Sequence, residues 1–295
     1  MYLRLRKNSN ELRLNRGANR AIMTKLVKLI PSSWAAGETS FLTSRLLAEE
    51  ACRRIDKPNA VTPSNWHKYT SYLEGITIGS ARQPEPRSIE ISRDDLFALA
   101  TDARISDSAR DWHTLFWNVM AWGTVGDMRN VSRIASFAVA QTTKFTSTLR
   151  QAAELSYLGD PTGGYVAFNN DGKIPRLGTA FFSKFLYFSG DRKAESLRCF
   201  IYDDRVRVAL NIIRGDEPRM TARGYADYSR TVHTWSRIAS DLTGNSVSPD
   251  EVEFRLYLLG QHARTHRNWL QVEVAIHRQG ITATDFEGIL TRLIT

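Results

Sequence analysis

The 295-residue chain is poor in cysteine and has no long apolar run. Its two cysteines, Cys52 and Cys199, exclude a disulfide framework and any four-thiolate zinc or iron–sulfur site. A reducing, cytoplasmic setting is the simplest expectation. No stretch approaches the roughly 20 apolar residues that span a bilayer, so a membrane protein is not expected. The opening Met1-Tyr-Leu-Arg-Leu-Arg-Lys7 lacks the apolar run of a secretory signal. P-loop and dinucleotide-binding glycine motifs are missing, and so are strand–helix alternation and any repeat period.

Positive charge and aromatic rings are plentiful. Forty Lys and Arg stand against 31 Asp and Glu, a net +9. A surplus of this size favours a polyanionic partner, most often nucleic acid. It is uneven: Arg4, Arg6, Lys7, Arg13, Arg16, Arg20, Lys25 and Lys28 face Glu11 alone within residues 1–28. Such a stretch reads as a solvated arm, and a flexible basic arm is also a good phosphate binder. With 42% hydrophobic residues and seven Trp, the rest of the chain can bury a core.

Apolar spacing predicts helices over 40–55, 64–75, 108–122, 129–139 and 227–242. Ser92-Arg-Asp-Asp95 reads as a helix start. Ser248-Pro-Asp-Glu251 reads as a capping box with Pro at the first helical position. Arg82-Gln-Pro-Glu-Pro-Arg87 reads as an extended connector. Gly159-Asp-Pro-Thr-Gly-Gly164 and Asn169-Asn-Asp-Gly172 predict a hairpin or irregular loop over 157–176. The reading is a mostly α protein, with a basic arm over 1–30, an N-terminal helical segment over 31–88 and a helical core over 89–295.

The stretch from Ile174 to Ile213 carries the chemistry. Ile174-Pro-Arg-Leu-Gly178-Thr179 precedes the aromatic block Phe181-Phe-Ser-Lys-Phe-Leu-Tyr-Phe188, and Asp203-Asp-Arg-Val206 follows. A hairpin before a helix N-terminus turns free backbone N–H groups outward, where they and the helix dipole hold a phosphate without reading sequence. Gly178 is expected to take the positive φ of such a turn. Asp203, three residues before Val206 and ahead of Ala209 and Leu210, fits an N-cap, with Asp204 as its rival. A carboxylate there can stabilise positive charge developing on a sugar.

These residues resemble the helix-hairpin-helix DNA glycosylases, in particular the 8-oxoguanine glycosylase-like branch. The resemblance covers about forty residues. It implies a helical fold of two lobes around a DNA cleft, with the hairpin element near 174–190. It also implies excision of a flipped, damaged or modified base from double-stranded DNA, by a monomer without a cofactor. The role would lie in base-excision repair or in phage defence. Asp203 would be the catalytic carboxylate, and Lys184, nineteen residues before it, the Schiff-base nucleophile. Register from the hairpin instead sets the family's lysine position on Ala180, one helical turn before Lys184, and Arg176 replaces the family's first hairpin glycine. Arg176, Gly178, Thr179, Arg205 and Arg207 are candidate DNA contacts. Phe181, Phe182 and Trp122 are candidate walls of a base pocket; most aromatics, Tyr187, Trp112 and Trp117 included, are expected in the core. Gly123-Thr-Val-Gly126 reads as a helix stop near the cleft or a plain turn, with Arg129 and Arg133 toward phosphate. His262 and His266 are spaced i, i+4, but Arg264 and Arg267 beside them argue against a metal. The alternatives are a non-catalytic DNA-binding protein that kept the hairpin, and a purely structural helical partner.

Overall fold

The computed structural model describes residues 35–70, 75–79, 87–124, 128, 130–170, 172–194, 197–214, 219–265, 287–288 and 291. The basic arm, most of the proline connector, Arg129 and His266 lie outside them.

Helices dominate. The apolar pattern over 40–55 forms two helices, α1 (Ala35–Thr43) and α2 (Arg45–Arg54). They part at Ser44, whose Oγ accepts the Leu47 N–H at 3.2 Å and so caps α2. A short antiparallel pair follows, β1 (Asn59–Val61) against β2 (Ile89–Ile91), with Ala60 opposite Glu90. Between them lies α3 (Ser64–Thr70). This sheet is too short for alternation to announce it.

Helix α4 (Arg93–Ser106) starts where expected, on a capping box. Ser92 Oγ accepts the Asp95 N–H at 3.1 Å, and Asp95 Oδ2 accepts the Ser92 N–H at 2.7 Å. Next come α5 (Ala109–Thr124), α6 (Val131–Ala140) and α7 (Thr142–Tyr157). The expected loop over 157–176 is corrected in part, because it contains a helix, α8 (Pro161–Asn169). Asp160 accepts the Gly163 N–H at 2.9 Å and Pro161 opens the helix. The Asp-Pro pair that reads as a turn is thus a helix start. Gly164 lets α8 press on the next helix, since a Cβ there would come within 2.9 Å of the Leu186 side chain.

Helices α9 (Thr179–Ser189), α10 (Asp204–Arg214), α11 (Ala222–Thr243) and α12 (Pro249–Thr265) complete the fold. They fall into two groups. One is α4, α5 and α7; the other is α1, α2, α10, α11 and α12. Helix α9 packs on α4, α5, α7 and α8, and α8 reaches α11. A single hydrophobic cluster runs through both groups, with Phe116, Trp117, Phe145, Phe185, Tyr202 and Leu256 fully buried. The seam between the groups holds the site.

Candidate active site

Helix α8, the turn after it and α9 form a helix–hairpin–helix. At its tip Lys173, Pro175, Arg176 and Gly178 are exposed. The positive φ of the turn belongs to Arg176, at 69°, while Gly178 is extended with φ −84°. This corrects the expectation placed on Gly178. The arginine stands where the resembling family has its first glycine and adopts the left-handed conformation that a glycine would take without strain. No side chain caps the start of α9; the Phe181 N–H turns back to the Gly178 carbonyl at 2.9 Å, and among the described residues the Thr179 and Ala180 N–H groups remain for an acceptor. Thr179 offers only its backbone there: its hydroxyl is buried, 3.5 Å from the Tyr165 hydroxyl.

The segment 198–203 runs through the core without regular secondary structure, with residues 198–202 buried. Side chains satisfy its backbone instead. Ser183 Oγ accepts the Tyr202 N–H at 2.9 Å, and His233 Nε2 accepts the Arg198 N–H at 3.1 Å. Tyr225 and Tyr228, one turn apart on α11, donate to the carbonyls of Phe200 and Ile201, both at 2.8 Å. The Arg198 guanidinium is locked onto Asp250 at 2.9 Å. Every buried polar group paired in this way fixes where the segment ends.

It ends on Asp203. Asp203 Oδ1 accepts the N–H groups of Arg205 at 2.9 Å and Val206 at 3.1 Å, so Asp203 caps α10. Asp204 is the first helical residue and pairs outward with Arg207 at 3.2 Å. The other oxygen of Asp203, Oδ2, faces Lys184 Nζ at 3.7 Å. Lys184 is buried among the aromatics of α9. Its ammonium donates to the Ala180 carbonyl at 2.7 Å and sits 5.6 Å from the centre of the Phe181 ring. Burial pushes its pKa below the ordinary lysine value; the nearby Asp203 carboxylate opposes this. Gly123, near the end of α5, makes room for the lysine stem, because a Cβ there would lie 2.7 Å from Lys184 Cδ.

Asp203 and Lys184 open into one cavity of about 230 Å³. It is walled by Trp122, Ile201, Phe254 and Tyr257, with Arg54 at the end of α2, Lys57 in the turn after it and Asn59 at the start of β1, and by Arg93, Arg205 and Glu253. Helix α12 can lean over the start of α10 because Gly260 has no side chain; a Cβ would fall 1.9 Å from the Arg205 carbonyl oxygen. Arg205 donates to the Tyr257 hydroxyl and lies over its ring, 4.8 Å from the centre.

Of the candidate pocket walls, Trp122 lines this cavity and Phe181 stands beside Lys184. Phe182 does not. It faces the core, stacked on Phe168 with ring centres 5.4 Å apart, because it falls on the opposite face of α9. Tyr187, Trp112 and Trp117 are core residues as expected. Helix α5 runs through Gly123 to Thr124, and Arg133 is exposed on α6. His262 Nε2 contacts Glu50 at 3.0 Å, and Glu50 also holds Arg54 at 2.6 Å.

The sequence reading missed Glu253, Phe254, Tyr257 and Arg93. Phe254 and Tyr257 follow the capping box by ordinary helical spacing, and their signal is indistinguishable from that of core residues. Arg93 and Glu253 meet in a buried contact at 3.3 Å between α4 and α12, and nothing local announces a pairing across 160 residues.

Comparison with protein families matches residues 54–257 to the family described as "Putative 8-oxoguanine DNA glycosylase OGG-like protein". The matched span begins and ends on cavity residues, Arg54 and Tyr257, and encloses all the others. Comparison with curated proteins gives no match, and comparison with solved structures gives none.

Proposed function

The chain belongs to this OGG-like DNA glycosylase family, and from that premise we propose that it breaks the N-glycosidic bond of a nucleotide flipped out of double-stranded DNA. The observation that carries the reading is the 3.7 Å approach of Lys184 Nζ to Asp203 Oδ2 inside one cavity. A base in that cavity would lie against Trp122, Phe254 and Tyr257, flat or apolar surfaces suited to a nucleobase. Its sugar would stand between Lys184 and Asp203.

The Asp203 carboxylate stabilises the positive charge that develops on the sugar as the bond lengthens. Lys184, depressed in pKa by its apolar surroundings, attacks C1′ once it has lost its proton, and a Schiff base follows. If the lysine stays protonated, water attacks C1′ and Asp203 orients it. The amide groups at the start of α9, together with exposed Arg176 and Lys173, hold a backbone phosphate. Arg205 supplies charge in the cavity wall, and Arg207 supplies more on the same helix. The protein acts as a monomer in the cytoplasm, either repairing damaged bases or attacking modified phage DNA.

The test is base release from duplexes carrying single modified bases, 8-oxoguanine among them, with borohydride trapping alongside. Release from at least one duplex is expected. DNA binding without release from any of them would leave a hairpin protein that binds and does no chemistry.

A further inference from the structure

Glu253 is the second carboxyl group of the cavity. It lies one turn into α12, is 1% exposed, and lines the same cavity as Asp203. Its Oε2 is anchored by both terminal nitrogens of Arg93, at 3.3 and 3.4 Å. Among the described residues no donor reaches Oε1. Arg93 is itself pinned by the Tyr187 hydroxyl at 2.8 Å. The carboxyl group is therefore held rigidly by one oxygen with the other unengaged.

We propose that Glu253 is the acid that protonates the departing base. The inference rests on the glycosylase reading above. The proton moves from Glu253 to a ring nitrogen of the flipped base. The electron pair of the C1′–N bond leaves with the base, which departs neutral. The positive charge left on the sugar faces Asp203, and Lys184 or water closes the C1′ valence.

The two carboxyl groups differ in a way that suits two roles. Asp203 spends Oδ1 on two backbone N–H groups and turns Oδ2 toward an ammonium, so it works by negative charge. Glu253 is deep in the protein. Burial raises its pKa to about 7, Arg93 opposes the rise, and Asp203 and Asp250 add to it. The titratable and charged groups facing it are Arg93 on α4, Lys184 and Tyr187 on α9, Asp203 before α10, Tyr228 on α11, and Asp250 and Tyr257 on its own helix, with Arg54 of α2 across the cavity. A carboxyl group that keeps its proton near neutral pH can donate it to a leaving group.

The experiment measures base release against pH for the full chain and for Glu253→Gln, with affinity for an abasic duplex as the control. Wild-type release should fall about tenfold per pH unit above about 7. Glu253→Gln should be slower by roughly a hundredfold at pH 6 and flat with pH, since general acids contribute about 10² to 10⁴. Abasic affinity should stay within about threefold. Glutamine keeps the acceptor for Arg93; if the variant still loses abasic affinity, a measurement on the wild type decides. A target base already made cationic by methylation at a ring nitrogen needs no proton, and its release should lack the limb above pH 7. Release of the neutral base that is flat from pH 6 to 8.5, or the same limb on the cationic base, overturns the assignment. So does a Glu253→Gln variant as fast as wild type. Absence of release from every duplex overturns the glycosylase reading itself, and this one with it.

Discussion

Lys184 and Asp203 meet because Ser183, the residue before the lysine, accepts the backbone N–H of Tyr202, the residue before the aspartate. One 2.9 Å hydrogen bond between neighbours thus sets the 3.7 Å approach of the two candidate catalytic groups. The lysine is carried by a helix and the aspartate caps the next one, so regular backbone places both, as a preorganised site requires.

Lys184→Gln tests the nucleophile. Wild-type protein should form a covalent adduct with abasic duplex DNA on borohydride treatment, and the variant should form none while keeping its affinity. An adduct surviving in the variant would assign the nucleophile elsewhere. Base release by wild type with no adduct would assign it to water.

Gly123→Ala tests how the lysine is placed. The new Cβ would meet Lys184 Cδ at 2.7 Å and Cε at 3.1 Å, so the stem must shift. A displacement of that order costs roughly ten- to a hundredfold in adduct formation. DNA affinity should not change. Unaltered trapping kinetics would show that the ammonium reaches its position by another path.

Arg176→Gly should act twice. It relieves a left-handed φ of 69° and should raise stability by about 0.5–1 kcal/mol in denaturant unfolding. It also removes one exposed cation from the hairpin tip, so the slope of log affinity against log salt should fall by about 1. An unchanged slope would show that Arg176 does not meet a phosphate.

His113 makes the fold acid-sensitive. It is buried against Phe145, its Nε2 is 2.8 Å from Thr146 Oγ1, and burial lowers its pKa from 6.5 to about 4. A depressed folded-state pKa means that the unfolded chain binds the proton first. The stabilisation is complete above pH 6.5 and is lost as pH falls toward 4. In His113→Gln the stability difference between pH 6.5 and 4 should be smaller by this contribution. Equal acid limbs would show that His113 does not report on burial.

Much of this was legible in the sequence, for local reasons. Asp203 announced itself as a cap by the apolar residues at helical spacing after it. Ser92 and Ser248 announced the starts of α4 and α12 in the same way. The family resemblance lay in forty contiguous residues. What escaped was either non-local or ambiguous. Glycines in the first turn of α8 look like a loop until Asp160 is seen to cap them. Phe182 and Phe181 are adjacent and chemically alike, and only the helix phase separates core from site. The Arg93–Glu253 pair joins α4 to α12 through the interior, and no spacing rule reaches that far.

Base release by Asp203→Asn tests the central claim most directly. Asparagine still caps α10, so stability should fall by less than about 1 kcal/mol. The negative charge is gone, and in a dry site such charge is worth on the order of 3 kcal/mol, about a hundredfold or more in rate. The variant should bind duplex DNA at least as well as wild type and release base at least about a hundredfold more slowly. Asp204→Asn, whose side chain points outward to Arg207, should stay close to wild type. Full base release by Asp203→Asn would contradict the account.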